Sequence, residues 1–419
     1  MRVFKFGGAS VKDAKSVKNV HRIIDQFNTE PLIVVVSAMG KTTNRLEDLV
    51  NAQFAQASTS EILDDIRNAH VNIAKELFGD ANTDQVIEDI SNTLVEVEWA
   101  LDDPKGLDRH FQYDQIVSIG EMLSTKIISA YLNAQGVKNT WVDARDLIRT
   151  DNNYQDAKVD WEETKKLTTA TINKALENGS VIVTQGFIGG TSENFTTTLG
   201  REGSDFSAAI LAHSTDAKDV TIWKDVPGVL NADPKYYDDT VLIPEMSYYD
   251  AMELAYFGTS VIHPKTIKPL QNADIPLYVR SFVDIDAPGT VVSNKKTVNV
   301  IPSFIVKPNQ LLISIIPRDY SFVGEGHFTR IFGVLSALRM KANCMQNSAV
   351  KFMFSTENDA HKLEELKKAL NDEYEISLIE NAELVTVRHF DEPTLKRVTG
   401  EKKILLEHRT AKTAQLVIK

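Results

Sequence analysis

Along the first 290 residues or so, two hydrophobic patterns alternate. Short β-branched or aromatic runs stand at residues 3–6, 32–36, 116–119, 181–184, 220–223 and 277–280. Between them apolar residues recur at helical spacing, as at Val17, Val20, Ile24 and Phe27, or at Leu167, Ile172 and Leu176 within 162–177. A continuous run such as Leu32–Val36 suits a strand covered on both faces. Strand, helix and strand in series predict an α/β fold with a mainly parallel sheet sandwiched by helices, joined by right-handed crossovers. From about residue 44 to 110 the pattern is helical, charged and poor in strands, which predicts a helical insertion beside the sheet.

Residues 284–302, rich in Pro, Asn, Lys and Thr, read as a linker. Beyond it the pattern predicts a strand at 311–316, a helix at 327–340, strands at 342–346 and 350–355, a helix at 360–371 and a strand at 375–379. That order is a ferredoxin-like βαββαβ unit. A partial second copy follows, with a strand at 384–390, a helix at 393–398 and strands at 403–408 and 413–418. It lacks a second helix, so it predicts an apolar face that borrows an element or pairs with another subunit. The expected division is a domain at 1–294 and a C-terminal region at 300–419, with one full copy at 309–380 and a truncated one at 384–419.

Composition narrows the function. A chain of 419 residues, 42% hydrophobic and 25% charged, suits two or three globular domains. The strongest apolar run is far shorter than the roughly 20 residues that span a bilayer, and the start lacks a secretory pattern. The single cysteine, Cys344, excludes an intramolecular disulfide and reads as a small buried apolar residue. A soluble protein of the reducing cytoplasm is the expectation. A net charge of −12 argues against a nucleic-acid partner. It also means that any phosphate site must gather its positive charge locally.

Three segments have that character. Lys5, inside the first strand, is followed by Gly7, Gly8 and Ser10; paired glycines let backbone amides approach a phosphate, and the next helix adds its positive end. The Walker pattern G-x-x-x-x-G-K-[ST] is absent. The second segment spans 184–205, with glycines at 186, 189 and 190, threonines at 196–198, then Gly200, Arg201, Glu202, Gly203, Ser204 and Asp205 before an apolar helix at 206–212. Ser204 or Asp205 is placed to cap that helix. The third, 223–235, carries Lys224, Asp225, Asp233 and Lys235 on Pro- and Gly-containing turns, near the sheet edge where α/β folds bind ligands.

In order, these segments resemble the aspartokinases of the amino-acid kinase family. KFGGASV is similar to the family's opening K-F-G-G-T-S-V, VVVSAMGKTTN to its serine-to-threonine loop and SIGEMLST to its S-x-G-E helix start. TQGFIGG, TTTLGREGSD, KDVPGVLNADPK and FGTSVIHPKTI resemble its remaining loops, and the tail resembles paired ACT domains. The resemblance implies Mg-ATP-dependent phosphorylation of L-aspartate to 4-phospho-L-aspartate, the first step toward lysine, threonine and methionine. It implies that Lys5 stabilises the transferring phosphoryl group, Glu121 holds the substrate ammonium and Arg201 clamps a substrate carboxylate. Ser37, Thr43 and Ser204 would supply hydroxyls. Gly7, Gly8, Lys224, Asp225 and Lys235 would lie at the ATP, and Asn343, Gln346 and Asn347 at an amino-acid effector. Asp205 would orient Lys5 or the nucleotide and take no proton, because a carboxylate acceptor with an ordinary pKa of about 3.9 is already ionised. Mg²⁺ would be held mainly by the nucleotide, with no protein metal cage. Subunits would associate as a homodimer or dimer of dimers through the ACT region.

The chain departs from the family's pattern at Ala9 (threonine), Glu202 (glycine), Lys224 (threonine), Leu230 (aromatic), Lys235 (arginine), Ser260 (lysine) and Asn343 (acidic in lysine-sensing relatives). These departures leave a second reading open, a weakly catalytic or non-catalytic paralogue serving as an amino-acid sensor or assembly module. A kinase for glutamate or another small acid is a third.

Overall fold

The structure is a computed structural model that describes residues 1–27, 29–79, 83–102, 108–259, 261–295 and 300–419. Contacts divide it into two compact units. The first comprises Met1–Val229, Pro244–Met252 and Val261–Lys296; the second comprises Leu230–Ile243, Glu253–Ser260 and Thr297–Lys419.

The chain opens with β1 (Arg2–Phe6), α1 (Ala14–Phe27) and β2 (Leu32–Val36). Five consecutive helices follow: α2 (Thr42–Phe54), α3 (Ser60–Phe78), α4 (Asp84–Asp102), α5 (Arg109–Val117) and α6 (Ile119–Ala134). Next come β3 (Asn139–Trp141), α7 (Trp161–Leu176), β4 (Val181–Gln185), the hairpin β5 (Ile188–Gly190) and β6 (Thr196–Thr198), α8 (Gly203–Ser214) and β7 (Asp219–Lys224). β8 (Glu245–Ser247), α9 (Tyr248–Phe257), α10 (Pro264–Asn272), β9 (Leu277–Ser281) and β10 (Thr290–Ser293) complete this part of the chain.

Eight strands form one sheet in the order β3-β4-β2-β1-β7-β9-β10-β8. Neighbours from β3 to β9 run parallel, and β10 turns antiparallel to β9. Every residue of β2 and β4 is buried, as their unbroken apolar runs require of strands covered on both faces. The register sets the site. Phe6 pairs with Val36 and Trp223, and Val36 with Gln185, so all four strands end at one level of the carboxyl edge. The turns that begin at Gly7, Ser37, Gly186 and Asp225 leave that edge together.

The strand expected at 116–119 is instead helical, the junction of α5 and α6. Ile116, Val117 and Ile119 are fully buried, and a four-residue apolar run does not distinguish a buried helix from a buried strand. The helical block also runs past residue 110 to Ala134.

The second unit contains β11 (Ser303–Pro317), α11 (Glu325–Ala337), β12 (Cys344–Asn347), β13 (Phe352–Glu357), α12 (Ala360–Leu370), β14 (Tyr374–Arg388), α13 (Glu392–Thr399), β15 (Ile404–Arg409) and β16 (Thr413–Ile418). Its six-stranded antiparallel sheet has the order β12-β13-β11-β14-β16-β15, consistent with ACT-type domains. The short strands expected at 311–316, 375–379 and 384–390 are parts of two long ones. β11 and β14 pair along their whole lengths, with register shifts around Gln310, so one ladder passes through both halves.

A single cut near residue 295 is not how the contacts divide, because two earlier segments belong to the second unit. The reason lies in the incomplete second half. Its apolar face gathers Phe304, Val385, Val387, Leu395, Leu416 and Ile418, and Ala232 and Tyr237 pack against it. The Tyr237 and Phe304 rings meet edge to face at 4.4 Å, with the Arg397 guanidinium 5.5 Å from each. Buried Arg388 is held by Glu253 at 3.1 Å. These two segments therefore cover part of that face from within the same chain.

Phe304→Ala is expected to lower the free energy of unfolding by about 3–5 kcal/mol and to speed proteolysis within residues 230–243. Denaturant titration and timed digestion measure both; unchanged cleavage of that segment would show that Phe304 does not hold it.

Candidate active site

A cavity of about 450 Å³ opens at the carboxyl edge of the large sheet, lined by residues of β1, α2, α5, α6, the turn after β2 and the turns around β6 and α8. Lys5 reaches into it from the central strand, and its Nζ lies 2.6 Å from Asp205 Oδ1. Lys224, at the end of the adjacent β7, places its Nζ 3.2 Å from Asp205 Oδ2. Asp205 is only 1% exposed, and no hydrogen bond reaches either oxygen from elsewhere among the described residues. The positive charges of Lys5 and Lys224 outweigh desolvation and hold its carboxyl below the usual range.

Two glycines make the convergence possible. A Cβ on Gly8 would stand 2.9 Å from the Ala38 carbonyl, on the turn after β2. A Cβ on Gly186 would stand 2.5 Å from that of Ser204, at the start of α8. Any side chain at either place would push those segments apart. The α8 helix is entered through Glu202, whose φ of 55° is left-handed, and no side chain caps it. Ser204 and Asp205 lie inside the first turn, so the expected capping role falls away. Both are buried, directed to the interior by the helix phase that Gly203 begins.

Asp114 holds the hairpin from behind. It accepts bonds from Thr198 N (2.8 Å), Thr198 Oγ1 (2.7 Å) and Gln155 N (3.0 Å). Burial still pushes its carboxyl up to about 6. Sequence reading passed over it, although a lone aspartate seven residues before Glu121 in an apolar stretch was the available signal.

Glu121 is treated differently from Asp205. It is 3% exposed; Oε1 accepts from Ala38 N at 3.2 Å, while Oε2 has no partner among the described residues. Desolvation raises its carboxyl to about 8.

Of the remaining anticipated residues, Ser37, Thr43, Arg201, Ser204 and Gly8 line the cavity. Gly7 adjoins Lys5, a Cβ there falling 3.4 Å from Nζ. Lys224 joins through Asp205. Asp225 is exposed and outside the lining, and Lys235 is an exposed residue of the second unit. Ser260 lies outside the described residues. In the C-terminal sheet Gln346 and Asn347 are exposed on edge strand β12. Asn343 is engaged within the fold, accepting from Lys307 Nζ at 3.2 Å and donating to Gln310 Oε1 at 3.0 Å. Burial raises the Cys344 thiol to about 12, as suits an unreactive core residue.

A parallel sheet whose carboxyl edge gathers two lysines, an arginine and glycine turns is an α/β arrangement suited to an anionic ligand. The chain belongs to the amino acid kinase family, in its aspartokinase branch, the family model matching residues 1–281. It is 32% identical over 363 residues to chloroplastic aspartokinase 1 of Arabidopsis thaliana, covering 83% of this chain and 62% of that protein. It is 30% identical over 408 residues to chloroplastic aspartokinase 3 of the same plant, covering 92% and 71%. The chain thus spans less than two thirds of the length of the former. Its structure is similar to E. coli aspartokinase III in complex with lysine and aspartate, with a TM-score of 0.84, 28% identity and coverage of 100% of this chain and 95% of that one. Among the described residues, no helix is long and apolar enough to cross a membrane.

Two measurements follow from the geometry. Glu202→Gly is expected to stabilise the protein by about 1 kcal/mol, since glycine accepts the left-handed backbone that a side chain resists. A melting temperature unchanged or lowered would contradict the strain. Glu121 holds its proton in the folded state up to about pH 8, whereas an unfolded glutamate ionises near its ordinary 4.5. The native state therefore binds more protons in that window, and stability contributed by this group falls as pH rises from 4.5 to 8. Urea unfolding at pH 5, 6.5 and 8 is expected to show a shallower fall in Glu121→Gln, and parallel pH profiles would rule the idea out.

Proposed function

We propose that the protein is an aspartate kinase, transferring the γ-phosphoryl group of ATP to the side-chain carboxylate of L-aspartate. The products are ADP and 4-phospho-L-aspartate, an acyl phosphate fit for the first step toward lysine, threonine and methionine. One observation carries the reading: Lys5 and the turn at 200–205, two hundred residues apart in the chain, meet in one cavity with Glu121. The sequence similarity to aspartokinases supports the same substrate.

The reaction needs charge control more than proton transfer. The acceptor carboxylate is already ionised at neutral pH, so no general base is required. Asp205, engaged by two ammonium groups, is unsuited to act as one. Lys5 stands where it can stabilise charge on the phosphoryl group during in-line attack. The unpartnered Oε2 of Glu121 suits the substrate ammonium, and a cation there favours the ionised carboxylate. Arg201, exposed at the cavity rim, is available to a substrate carboxylate. Ser37, Thr43 and Ser204 offer hydroxyls, and Gly7 and Gly8 allow the backbone near the phosphates.

The cavity's carboxylates are Asp205, already paired with ammonium groups, the isolated Glu121 and the exposed Glu202. Such a set fits Mg²⁺ carried by phosphate oxygens and water, and does not make a protein cage. When bound with the nucleotide, the ion supplies further neutralisation of phosphate charge. The exposed β12 edge supports subunit pairing through the C-terminal sheet, with Gln346 and Asn347 beside any effector there.

The test is ADP release with Mg-ATP and a panel of amino acids, with acyl phosphate trapped by hydroxylamine. Aspartate-dependent turnover is expected, reduced at least about a hundredfold by Lys5→Ala. Amino-acid binding without turnover would replace this reading with a sensor, and preference for glutamate would replace the substrate.

A further inference from the structure

Asp205 meets more positive charge than one carboxylate needs. Its side chain is 1% exposed, and its oxygens face Lys5 Nζ at 2.6 Å and Lys224 Nζ at 3.2 Å. Lys5 is itself nearly buried, and the Lys224 side chain is 19% exposed. The two lysines lie on adjacent parallel strands, with Lys5 opposite Ile222 and Phe6 opposite Trp223, so Lys224 follows one step further along β7. One buried anion between two cations leaves a surplus of one positive charge at the cavity wall.

We infer that Lys224 is a positioning residue whose ammonium holds the Asp205 carboxylate and so frees Lys5 to turn to the transferring phosphoryl group. The inference rests on the kinase reading for its catalytic half and on geometry alone for its electrostatic half. With Lys5 as the only partner, drawing it toward a phosphate would strip a buried carboxylate of its charge partner, which is strongly unfavourable. With Lys224 on the other oxygen, the carboxylate stays compensated while Lys5 moves. Lys224 acts through Asp205 and need not touch substrate.

The roles separate in a double-mutant cycle on the full chain, with Lys224→Met, Lys224→Arg, Asp205→Asn and the Met/Asn double variant. In the ADP-release assay K224M is expected to lower kcat about tenfold or more while the KM for aspartate changes less than about threefold, and K224R to recover most of the loss. Once Asp205 is asparagine there is no anion to hold, so adding K224M is expected to change kcat less than about twofold. A K224M loss of equal size in both backgrounds, or one confined to the KM for ATP, would overturn the inference and give Lys224 a direct nucleotide contact. Thermal unfolding of the unliganded proteins reads the same coupling without turnover. K224M is expected to melt below the wild type, and K224M/D205N to match D205N; equal drops in both pairs would overturn it. Should the wild type fail to phosphorylate aspartate, the functional proposal falls while the melting cycle still decides whether Lys224 holds Asp205.

Discussion

An ionised carboxylate shut away from water destabilises a fold unless positive charge meets it, and the candidate site is organised around that constraint. Asp205 lies in the first turn of α8, and its partners come from β1 and β7. The helix must therefore sit over the ends of these two strands, and the strands must be neighbours. Both conditions follow from the doubly covered parallel sheet, in which β1 lies between β2 and β7. The same adjacency stacks the Phe6 ring on the Trp223 indole, centroids 6.3 Å apart, at the register position between Lys5 and Lys224. Apolar packing inside the sheet thereby fixes the spacing of the charges at its edge.

The glycines around the cavity serve the same geometry. They mark where two backbones approach more closely than a Cβ permits, as Gly186 does against Ser204. A phosphate-binding turn and a tightly packed one look alike in sequence because both need a bare backbone. The structure gives Gly8 and Gly186 a packing reason, and that reason is sufficient without a ligand.

Much of this was legible in the residues. Leu32–Val36 announced a doubly covered strand, and β1, β4, β7 and β9 followed from similar runs. The charged, strand-poor stretch after residue 44 points to helices, and its described residues form α2 to α5. Misreadings came where local pattern is silent about tertiary contact. Residues 116–119 are apolar enough for either element, and burial between helices decided for helix. The long ladders of β11 and β14 cross a boundary because their pairing partners, invisible to periodicity, continue on the far side. The attachment of Ala232 and Tyr237 to the C-terminal core could not be read from a turn-rich segment, since it depends on which apolar face was left uncovered. At the site, Lys5, Glu121 and the 200–205 turn were nameable in advance. Asp114 and the Lys224–Asp205 pair were not, because both depend on which strands and turns become neighbours.

Glu202 shows how a departure from a family's pattern acquires a physical meaning. The position has a left-handed backbone, which glycine, the residue that the resemblance leads one to expect there, adopts without a Cβ penalty. The side chain is exposed, so its charge is largely screened, and the cost of the substitution is mainly conformational.

The two buried carboxylates that line the cavity, Asp205 and Glu121, point to a division of labour. They line one cavity, yet their surroundings push them in opposite directions, one held charged by lysines and the other left neutral beside a single amide. Groups separated in this way take different chemical roles. Asp205 is held in its charged form by its two lysines, which suits a fixed counterion. Under the function proposed above, an ammonium group arriving at Glu121 would favour its charged form, coupling its ionisation to substrate binding. Before that event the cavity wall is net positive and suited to anions; afterwards it also carries the complement of an amino group. An amino acid with a second carboxylate meets both requirements at once, which is why the substrate proposed here follows from the contrast between the two acids as much as from either alone.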